Sequence, residues 1–313
     1  MVLAGGTGHL GTLLATAHHG KGDEVVVLSR TPHAAPWRVV QWDARTLGPW
    51  SAELDGADVV VNLAGRSVNC RYTPANRAAI VSSRVDSTRV VGEALARAAA
   101  PPKLWLQMST ATIYAHRYDA ANDERTGIIG GNEPGVPEAW RFSIDVATRW
   151  EAALDEAVVP GVRKVKLRAA IVMSALRGGP FDILLRLVRL GLGGTSGDGR
   201  QYVSWIHGDD FVRAVDHIIA NESLSGAINL ASPNPLPNEL FMSDLRVAWG
   251  TPIGLPSPAP LLELGAVFLR TETELVLKSR RVVPTLLTES GFDFSYPAWP
   301  TAARDLCAEV RAR

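Results

Sequence analysis

Cysteine is scarce in this chain of 313 residues, which contains only Cys70 and Cys307. Two cysteines without CxxC spacing exclude a disulfide framework and a structural zinc site, so we expect no metal. A reducing cytoplasm is the location that we expect for such a chain. The 32 basic and 32 acidic side chains cancel. Because no global charge attracts the protein to nucleic acid or to an anionic membrane, neither is expected as a partner.

Long apolar runs are lacking as well. Residues 58–64 and 183–192 form the longest ones, and they are too short or too interrupted by charge to span a bilayer. Glycines between Gly5 and Gly11 interrupt any apolar region at the start, so no signal peptide is expected.

Short β-branched runs alternate with longer amphipathic stretches over residues 1–170, a pattern that predicts parallel strands joined by crossover helices. We predict strands at residues 2–4, 24–28, 38–41, 58–63, 104–108 and 165–167, and helices at 10–19, 74–99 and 144–157. The expected fold is α/β, a Rossmann-type doubly wound parallel sheet that binds ligands at the carboxyl ends of its strands.

A glycine-rich loop follows the first predicted strand and opens the first predicted helix. Such a loop allows a tight turn and close approach of a pyrophosphate to backbone N–H groups. A turn without a ligand is the alternative for the loop alone, but the strand–turn–helix context favours a dinucleotide. The predicted contacts in this loop are Gly5, Thr7, Gly8, His9, Leu10 and Gly11.

The second predicted strand is followed by Ser29 and Arg30, where proteins specific for NAD usually have Asp or Glu. Arg30 can bind a phosphate through two N–H groups, and Ser29 can add a hydroxyl donor. NADP(H) is therefore favoured over NAD(H). The alternative for Arg30 is an exposed arginine at a strand end.

Two other strand ends carry candidate cofactor contacts. Leu63, Ala64 and Gly65 close the fourth strand after Asn62, and the small residues let the backbone approach a ribose or a flat ring. Asp43 follows the third strand, where it can meet an adenine amino group. The alternatives are an Asx-turn at Asn62 and a turn residue at Asp43.

The second half of the chain changes character at glycine-rich residues 191–199 and proline-rich residues 233–260. We predict an NADP-binding domain at 1–172, to which residues 201–232 return with a helix at 209–220 and a strand at 227–231. Residues 173–200 and 233–313 then form a smaller, mainly helical lobe for a substrate or partner. The helix at 74–99 is long enough to take part in a homodimer.

Several motifs resemble one family over nearly the whole chain, the epimerase-family proteins. These form an atypical branch of the extended short-chain dehydrogenase/reductases and are often labelled nucleotide-sugar-epimerase-like. The motifs are the glycine loop, residues 62–65, 82–84, 87–88 and 150–151, and the stretch from Gly191 through Trp205 and His207 to Asp210. The resemblance implies a Rossmann domain, bound NADP(H), and cofactor contacts at Ser29, Arg30, Leu63, Ala64, Arg84 and Val172. For Arg84 a solvated helix residue is the alternative.

The sequence departs from the wider superfamily in having no YxxxK motif. Counted back from Glu151, the usual Tyr and Lys positions fall on Ser143 and Ala147. A serine hydroxyl is a far weaker acid than a phenol, so Ser143 cannot make the same proton transfer at neutral pH.

Four residues after the fifth strand remain as catalytic candidates. Thr110 best matches the superfamily hydroxyl that holds a substrate carbonyl, and Ser109 is its neighbour. Tyr114 and His116 follow on a loop expected to face the nicotinamide, with His116 as the replacement acid or, alternatively, a solvated side chain. Arg200 and Gln201 either read a substrate or lie on the surface, and His207 is expected to start a helix.

Three functions stay open at this point. The first is an NADP(H)-dependent oxidoreductase for a small, unidentified carbonyl or alcohol. The second is an NADP(H)-binding regulatory or sensor protein without turnover, which the missing Tyr–Lys pair favours. The third is a nucleotide-sugar epimerase, which the same absence disfavours.

Overall fold

The structure is a computed structural model that describes residues 1–257 and 274–313. Its strands are β1 (Val2–Ala4), β2 (Val26–Ser29), β3 (Arg38–Gln41), β4 (Val59–Asn62), β5 (Leu104–Thr110), β6 (Arg163–Ala169), β7 (Ile171–Met173), β8 (Tyr202–Val203), β9 (Trp205–His207), β10 (Gly226–Leu230) and β11 (Leu236–Pro237). Its described α-helices are α1 (His9–Gly20), α2 (Pro74–Arg97), α3 (Glu138–Asp155), α4 (Pro180–Arg189), α5 (Gly208–Ala220), α6 (Asn238–Trp249), α7 (Glu274–Leu277), α8 (Thr285–Glu289) and α9 (Trp299–Arg311).

The central sheet has seven strands in the order β10-β6-β5-β4-β1-β2-β3. All its pairs are parallel, and β1 lies in the middle, with Leu3 opposite Val27 on one side and Val61 on the other. This order reverses direction at β1, which is the switch point of a doubly wound Rossmann sheet. The predicted fold class is therefore confirmed.

Helices cover both faces of the sheet, as the fully buried residues of β2 and β4 require. Leu3 and Val61 face one side, where they share a core with Leu14 of α1 and Phe211 of α5. Alternate residues point the other way, and Val60 packs there with side chains of α2 and α3.

A second core lies beyond β7. Phe181, Phe241 and Trp299 are buried together, with the rings of Phe241 and Trp299 stacked 4.0 Å apart. Trp205 belongs to this second core, whereas Ile206 belongs to the core of the sheet, so the two cores meet along β9. The predicted domain boundaries stay a prediction, although residues 226–230 do return to the sheet beside β6.

Two observations bear on the expected partners. Among residues 1–257 and 274–313, no helix combines the length and apolarity needed to cross a membrane. The long helix α2 packs beside α3, and a surface groove of about 540 Å³ runs between them. A homodimer through this pair stays a prediction.

Candidate dinucleotide and catalytic site

The glycine loop lies against the ends of β2 and β4. Gly5 has a φ of +72°, its N–H donates to the Leu28 carbonyl over 2.9 Å, and a Cβ there would lie 2.7 Å from Ala64 Cα. At Gly11 a Cβ would lie 2.2 Å from the Gly6 carbonyl oxygen. Both positions require glycine, because any side chain would separate α1 from the sheet.

The amino end of α1 is open to a ligand. Its N-cap, Gly8, makes no side-chain cap, and no acidic residue lies in the first turn. A Cβ on Gly8 would meet nothing within 4 Å, and both Thr7 and Gly8 are exposed. The unpaired N–H groups and the positive end of the helix dipole therefore fit an anionic pyrophosphate.

Three further predicted contacts, His9, Leu10 and Val172, pack in or against the core behind this loop. His9 Nε2 is 3.3 Å from Ser174 Oγ, and burial lowers the pKa of His9 despite a hydrogen bond to the backbone of Val172, so the ring is neutral at pH 7. Leu10 packs against the core of the sheet, and Val172 is buried on β7. His9 therefore joins the loop to β7.

At the end of β2, the predicted contacts Ser29 and Arg30 differ in whether their donors are available to a phosphate. The Ser29 hydroxyl donates to the Thr31 carbonyl over 3.0 Å and accepts the Thr31 N–H over 3.1 Å. Arg30 is exposed and makes no hydrogen bond or ion pair with any residue of the described ranges. Its guanidinium is thus available to a phosphate, while the Ser29 proton is held in a turn.

The end of β4 confirms the Asx-turn, since Asn62 Oδ1 accepts the Ala64 N–H over 3.1 Å. Asn62 Nδ2 donates to Gln107 on the neighbouring strand, and the Leu63 N–H donates to Ala4 over 2.8 Å. The small residues Ala64 and Gly65 follow this turn, with Ala64 buried and Gly65 exposed.

Arg84 reaches across from α2 to the same strand end. Its Cζ lies 3.1 Å from where a Cβ of Gly65 would be and 5.0 Å from the ring centroid of Trp150. Burial lowers the pKa of Arg84 to about 10. The alternative of a solvated helix residue is wrong, because the guanidinium packs on the Gly65 turn.

Asp43 forms a turn after β3. One carboxylate oxygen accepts the N–H groups of Arg45 and Thr46, each over 2.9 Å, and the other accepts the Thr46 hydroxyl over 2.6 Å. These bonds, with the Thr46 hydroxyl as the largest contribution, lower the pKa of Asp43 to about 2. An adenine contact here stays a prediction.

Ser109 and Thr110 follow one another at the end of β5 but face different surroundings. Ser109 is 3% exposed and donates to Glu151 over 2.6 Å, and Glu151 in turn accepts two bonds of 2.8 Å from Arg168. Thr110 is half-buried, and its hydroxyl accepts the Thr112 N–H over 3.1 Å. Its own proton has no acceptor within the described part of the chain, so Thr110 remains a donor.

Tyr114 and His116 are equally different. The Tyr114 hydroxyl is buried, donates to Asn229 and accepts from Arg168, each over 3.0 Å. His116 is half-buried, and its Nδ1 accepts the Ser279 N–H over 2.8 Å, which leaves the proton on Nε2. Burial, with a smaller contribution from Lys278, lowers the pKa of His116. The imidazole is therefore a neutral donor at pH 7.

Ser143, at the position of the usual catalytic tyrosine, belongs to a row of hydrogen-bonded side chains that the sequence did not indicate. Ser143 Oγ donates to a carboxylate oxygen of Glu274 and accepts from the Tyr72 hydroxyl over 3.2 Å. A phenol thus reaches this position from the segment before α2. Tyr72 and Ser143 are 71 positions apart in the sequence, so no local pattern indicates that they meet.

Two buried cationic side chains, Lys278 and Arg280, lie near these hydrogen-bonded residues. Lys278 Nζ donates to the Thr112 carbonyl over 2.7 Å, and Arg280 Nε donates to the Thr112 hydroxyl over 3.1 Å. Arg280 also lies 3.8 Å from Glu274. Lys278 is the only lysine after residue 166, a signal that could have drawn attention to this segment.

The remaining candidates have structural partners. His207 caps α5 by accepting the Asp209 N–H at Nδ1 over 3.2 Å, which confirms the predicted helix start. Gln201 is buried and donates to the Ser196 carbonyl over 2.8 Å, so it does not lie on the surface. Arg200 lies 5.8 Å from the ring centroid of Tyr118.

The sheet order, the glycine loop at the switch point and the loops at the carboxyl ends of the strands define a Rossmann-type α/β protein of the dinucleotide-binding class. The sequence matches the NAD dependent epimerase/dehydratase family over residues 1–133 and the Domain of unknown function (DUF1731) over residues 257–306.

Relatives match over nearly the whole of this chain. The Epimerase family protein SDR39U1 of Bos taurus is 31% identical over 314 residues, which covers 98% of this chain and 99% of the relative. The crystal structure of human epimerase family protein SDR39U1 (isoform2) with NADPH has a TM-score of 0.85 and 28% identity over 98% of both chains. The nucleoside-diphosphate sugar epimerase from Corynebacterium glutamicum has a TM-score of 0.74 and 27% identity over 100% of this chain and 61% of that chain. The chain belongs to the epimerase family that includes the SDR39U1 proteins, and the resemblance predicted from its motifs is confirmed.

Proposed function

We propose that this protein is an NADP(H)-dependent oxidoreductase that acts on a small carbonyl or alcohol. The cofactor assignment is supported by the open amino end of α1, the close contacts at Gly5 and Gly11, and the exposed guanidinium of Arg30. It agrees with the NADPH in the structure of the human relative. These residues fit the group, with Gly5–Gly11 holding the pyrophosphate and Arg30 the additional phosphate.

The observation that carries the catalytic proposal is that the Thr110 hydroxyl proton has no acceptor among residues 1–257 and 274–313. NADPH, when bound, supplies the hydride for reduction of a carbonyl. Thr110 donates a hydrogen bond to the carbonyl oxygen, a bond that strengthens as negative charge develops there. The neighbouring Ser109 hydroxyl cannot do so, because its proton is donated to Glu151.

His116 is the second donor in this proposal. Its tautomer is fixed by the Ser279 N–H at Nδ1, and its ring lies 4.8 Å from the ring of Trp140 and 5.0 Å from that of Tyr118. A neutral imidazole N–H polarises an oxygen without carrying a full charge. Tyr114 has no part in this scheme, since its hydroxyl is bonded to Asn229 and Arg168.

One observation favours the alternative of an NADP(H)-binding protein without turnover. At the position of the usual catalytic phenol, the Ser143 hydroxyl is bonded to Glu274. A nucleotide-sugar epimerase needs a base for oxidation and re-reduction at one centre, and the missing Tyr–Lys pair disfavours it.

The test is single-turnover absorbance at about 340 nm with NADPH-loaded protein and a panel of small carbonyls. Bleaching with one carbonyl class, and its loss in Thr110→Val, supports the oxidoreductase. Bound NADPH that no carbonyl bleaches favours the protein without turnover. Failure to bind NADPH by calorimetry rejects the cofactor assignment itself.

A further inference from the structure

Lys278 is a buried ammonium with few partners. The residue is 1% exposed, and the only hydrogen bond that its ammonium makes with the described residues goes to the Thr112 carbonyl. An ammonium has three N–H donors, and a buried charge whose donors are unpaired is costly. Within the described ranges Lys278 also makes no ion pair.

Lys164, by comparison, has an ammonium whose three N–H donors are all hydrogen-bonded. Lys164 Nζ donates to the carbonyls of Leu154, Asp155 and Ala157, over 2.9, 3.2 and 2.9 Å. All three of its donors are used, and it lies only partly buried on β6. Lys278 is more deeply buried and has one such bond within the described part of the chain, so two of its donors have no acceptor there and can serve a ligand.

The acidic groups near Lys278 are bonded elsewhere. Glu274 accepts the Ser143 hydroxyl and lies near Arg280, and Glu133 accepts the backbone N–H groups of His116 and Gly131. Both carboxylates attract the ammonium only at longer range, and Arg280 repels it. Burial in particular lowers the pKa of Lys278 to about 8, so at pH 7 the side chain is still mostly charged.

The ammonium lies next to the proposed reaction centre. Thr112 accepts the Lys278 bond at its carbonyl, while its N–H donates to the Thr110 hydroxyl over 3.1 Å. Thr110 and His116, the two donors of the proposed reaction, are half-buried. A molecule whose carbonyl oxygen is held by Thr110 therefore has a cationic group within the reach of a short extension.

We propose that Lys278 binds a carboxylate of the substrate, so that the protein acts on short oxo or hydroxy carboxylic acids. The proposal rests on the oxidoreductase function proposed above. A carboxylate is favoured over a phosphate because one ammonium offers few donors, while the guanidinium of Arg280 is already bonded to Thr112 and lies beside Glu274. Phosphate sites use several charged donors or backbone N–H groups.

The experiment compares matched probes on NADPH-loaded protein by calorimetry. Short 2-oxo and 3-oxo carboxylates are titrated beside their methyl esters, which keep the ketone but lose the negative charge. The carboxylates are expected to bind at least about tenfold more tightly than the esters, and Lys278→Met is expected to abolish the difference. Lys164→Met, a matched loss of a lysine whose donors are satisfied elsewhere, is expected to retain it.

Several outcomes overturn the carboxylate site. They are equal binding of acids and esters, a preference for acids that persists in Lys278→Met, and no binding of any acid by protein shown to hold NADPH. Thermal unfolding of both variants establishes that they are folded, and Lys278→Arg is expected to restore part of the preference for acids. Loss of NADPH binding in the wild-type protein would instead reject the proposed function, and the same titration without cofactor then tests the carboxylate site by itself.

Discussion

The hydroxyl of Ser109 donates a 2.6 Å hydrogen bond to the carboxylate of Glu151. That carboxylate is also held by the guanidinium of Arg168 through two bonds of 2.8 Å. The hydroxyl directly before the proposed catalytic threonine is thus part of a buried ion-pair network on the opposite side of β5.

This relationship predicts a loss of stability without a loss of cofactor. Ser109→Ala is expected to lower the free energy of unfolding by about 1–3 kcal/mol, because it removes a hydrogen bond to a buried charge. Glu151→Gln is expected to cost more, about 3–5 kcal/mol, since it leaves Arg168 buried without its counter-charge. Urea denaturation measures both values, and calorimetry with NADPH checks that affinity is kept. A large loss of affinity in Ser109→Ala would place this hydroxyl at the cofactor instead.

Arg30→Ala tests the phosphate contact. The exposed guanidinium has no partner among residues 1–257 and 274–313, so its removal should leave stability unchanged. Affinity for NADPH is expected to fall at least about tenfold, because a charge-assisted contact is lost, while affinity for NADH stays the same. Arg97→Ala, an exposed arginine paired with Glu93, is the control. Equal losses for the two cofactors would contradict the assignment.

Two glycines of the loop are expected to respond differently. A Cβ at Gly11 would lie 2.2 Å from the Gly6 carbonyl, so Gly11→Ala should separate α1 from the turn and lower the unfolding temperature. A Cβ at Gly8 meets no protein atom within 4 Å, so Gly8→Ala should fold normally. It should nevertheless weaken NADPH binding, because the methyl group occupies the approach to the helix N-terminus. Thermal unfolding and calorimetry separate the two effects, and normal NADPH affinity in Gly8→Ala would show that no pyrophosphate approaches there.

Thr110→Val is expected to lower the rate of turnover by about a hundredfold or more, because it removes the donor to the carbonyl oxygen. NADPH affinity should stay within about a factor of three, since the rest of the loop is unchanged. The matched control is Thr73→Val. Thr73 is the N-cap of α2, and Thr110 is the N-cap of the short 3₁₀-helix at residues 111–113. Both variants lose a helix N-cap. A loss of rate in Thr110→Val that Thr73→Val does not show is therefore due to the missing donor at the site. Equal rates would remove Thr110 from the mechanism.

Lys278 gives the protein a specific dependence on pH. Its pKa is lowered by burial from 10.5 to about 8. Between these values the folded protein has lost a proton that the unfolded chain still holds, so this group makes the free energy of unfolding rise with pH. Lys278→Met should remove that contribution and raise stability at about pH 7 by about 1–4 kcal/mol. Urea denaturation from about pH 7 to pH 10 tests this, and parallel curves for the two proteins would contradict it.

Several strands of the sheet could be predicted closely because they are short apolar runs, rich in valine in β2, β3 and β4. The predicted bounds of β1 and β3 agree with the structure, as does the GxxGxxG turn between β1 and α1. These features depend on residues adjacent in sequence, for which local conformational preference and burial are sufficient signals.

The candidate catalytic region could be predicted only in part. Ser109 and Thr110 are adjacent on a strand, so their side chains point to opposite faces, and only the packed structure shows which one meets Glu151. Tyr72, Ser143 and Glu274 lie in three distant segments that meet only through tertiary packing. A serine at the position of the usual tyrosine gives no indication that a phenol arrives from elsewhere.

The position of β10 also constrains how this protein comes to be folded. Five residues of β10 are paired with β6, and they come from the second half of the chain. A fragment that ended before residue 226 would leave the Val165–Ala169 edge without its neighbour, a row of unpaired backbone groups prone to aggregation. The sheet that carries the glycine loop is therefore complete only once residues 226–230 have been synthesised, after most of the polypeptide.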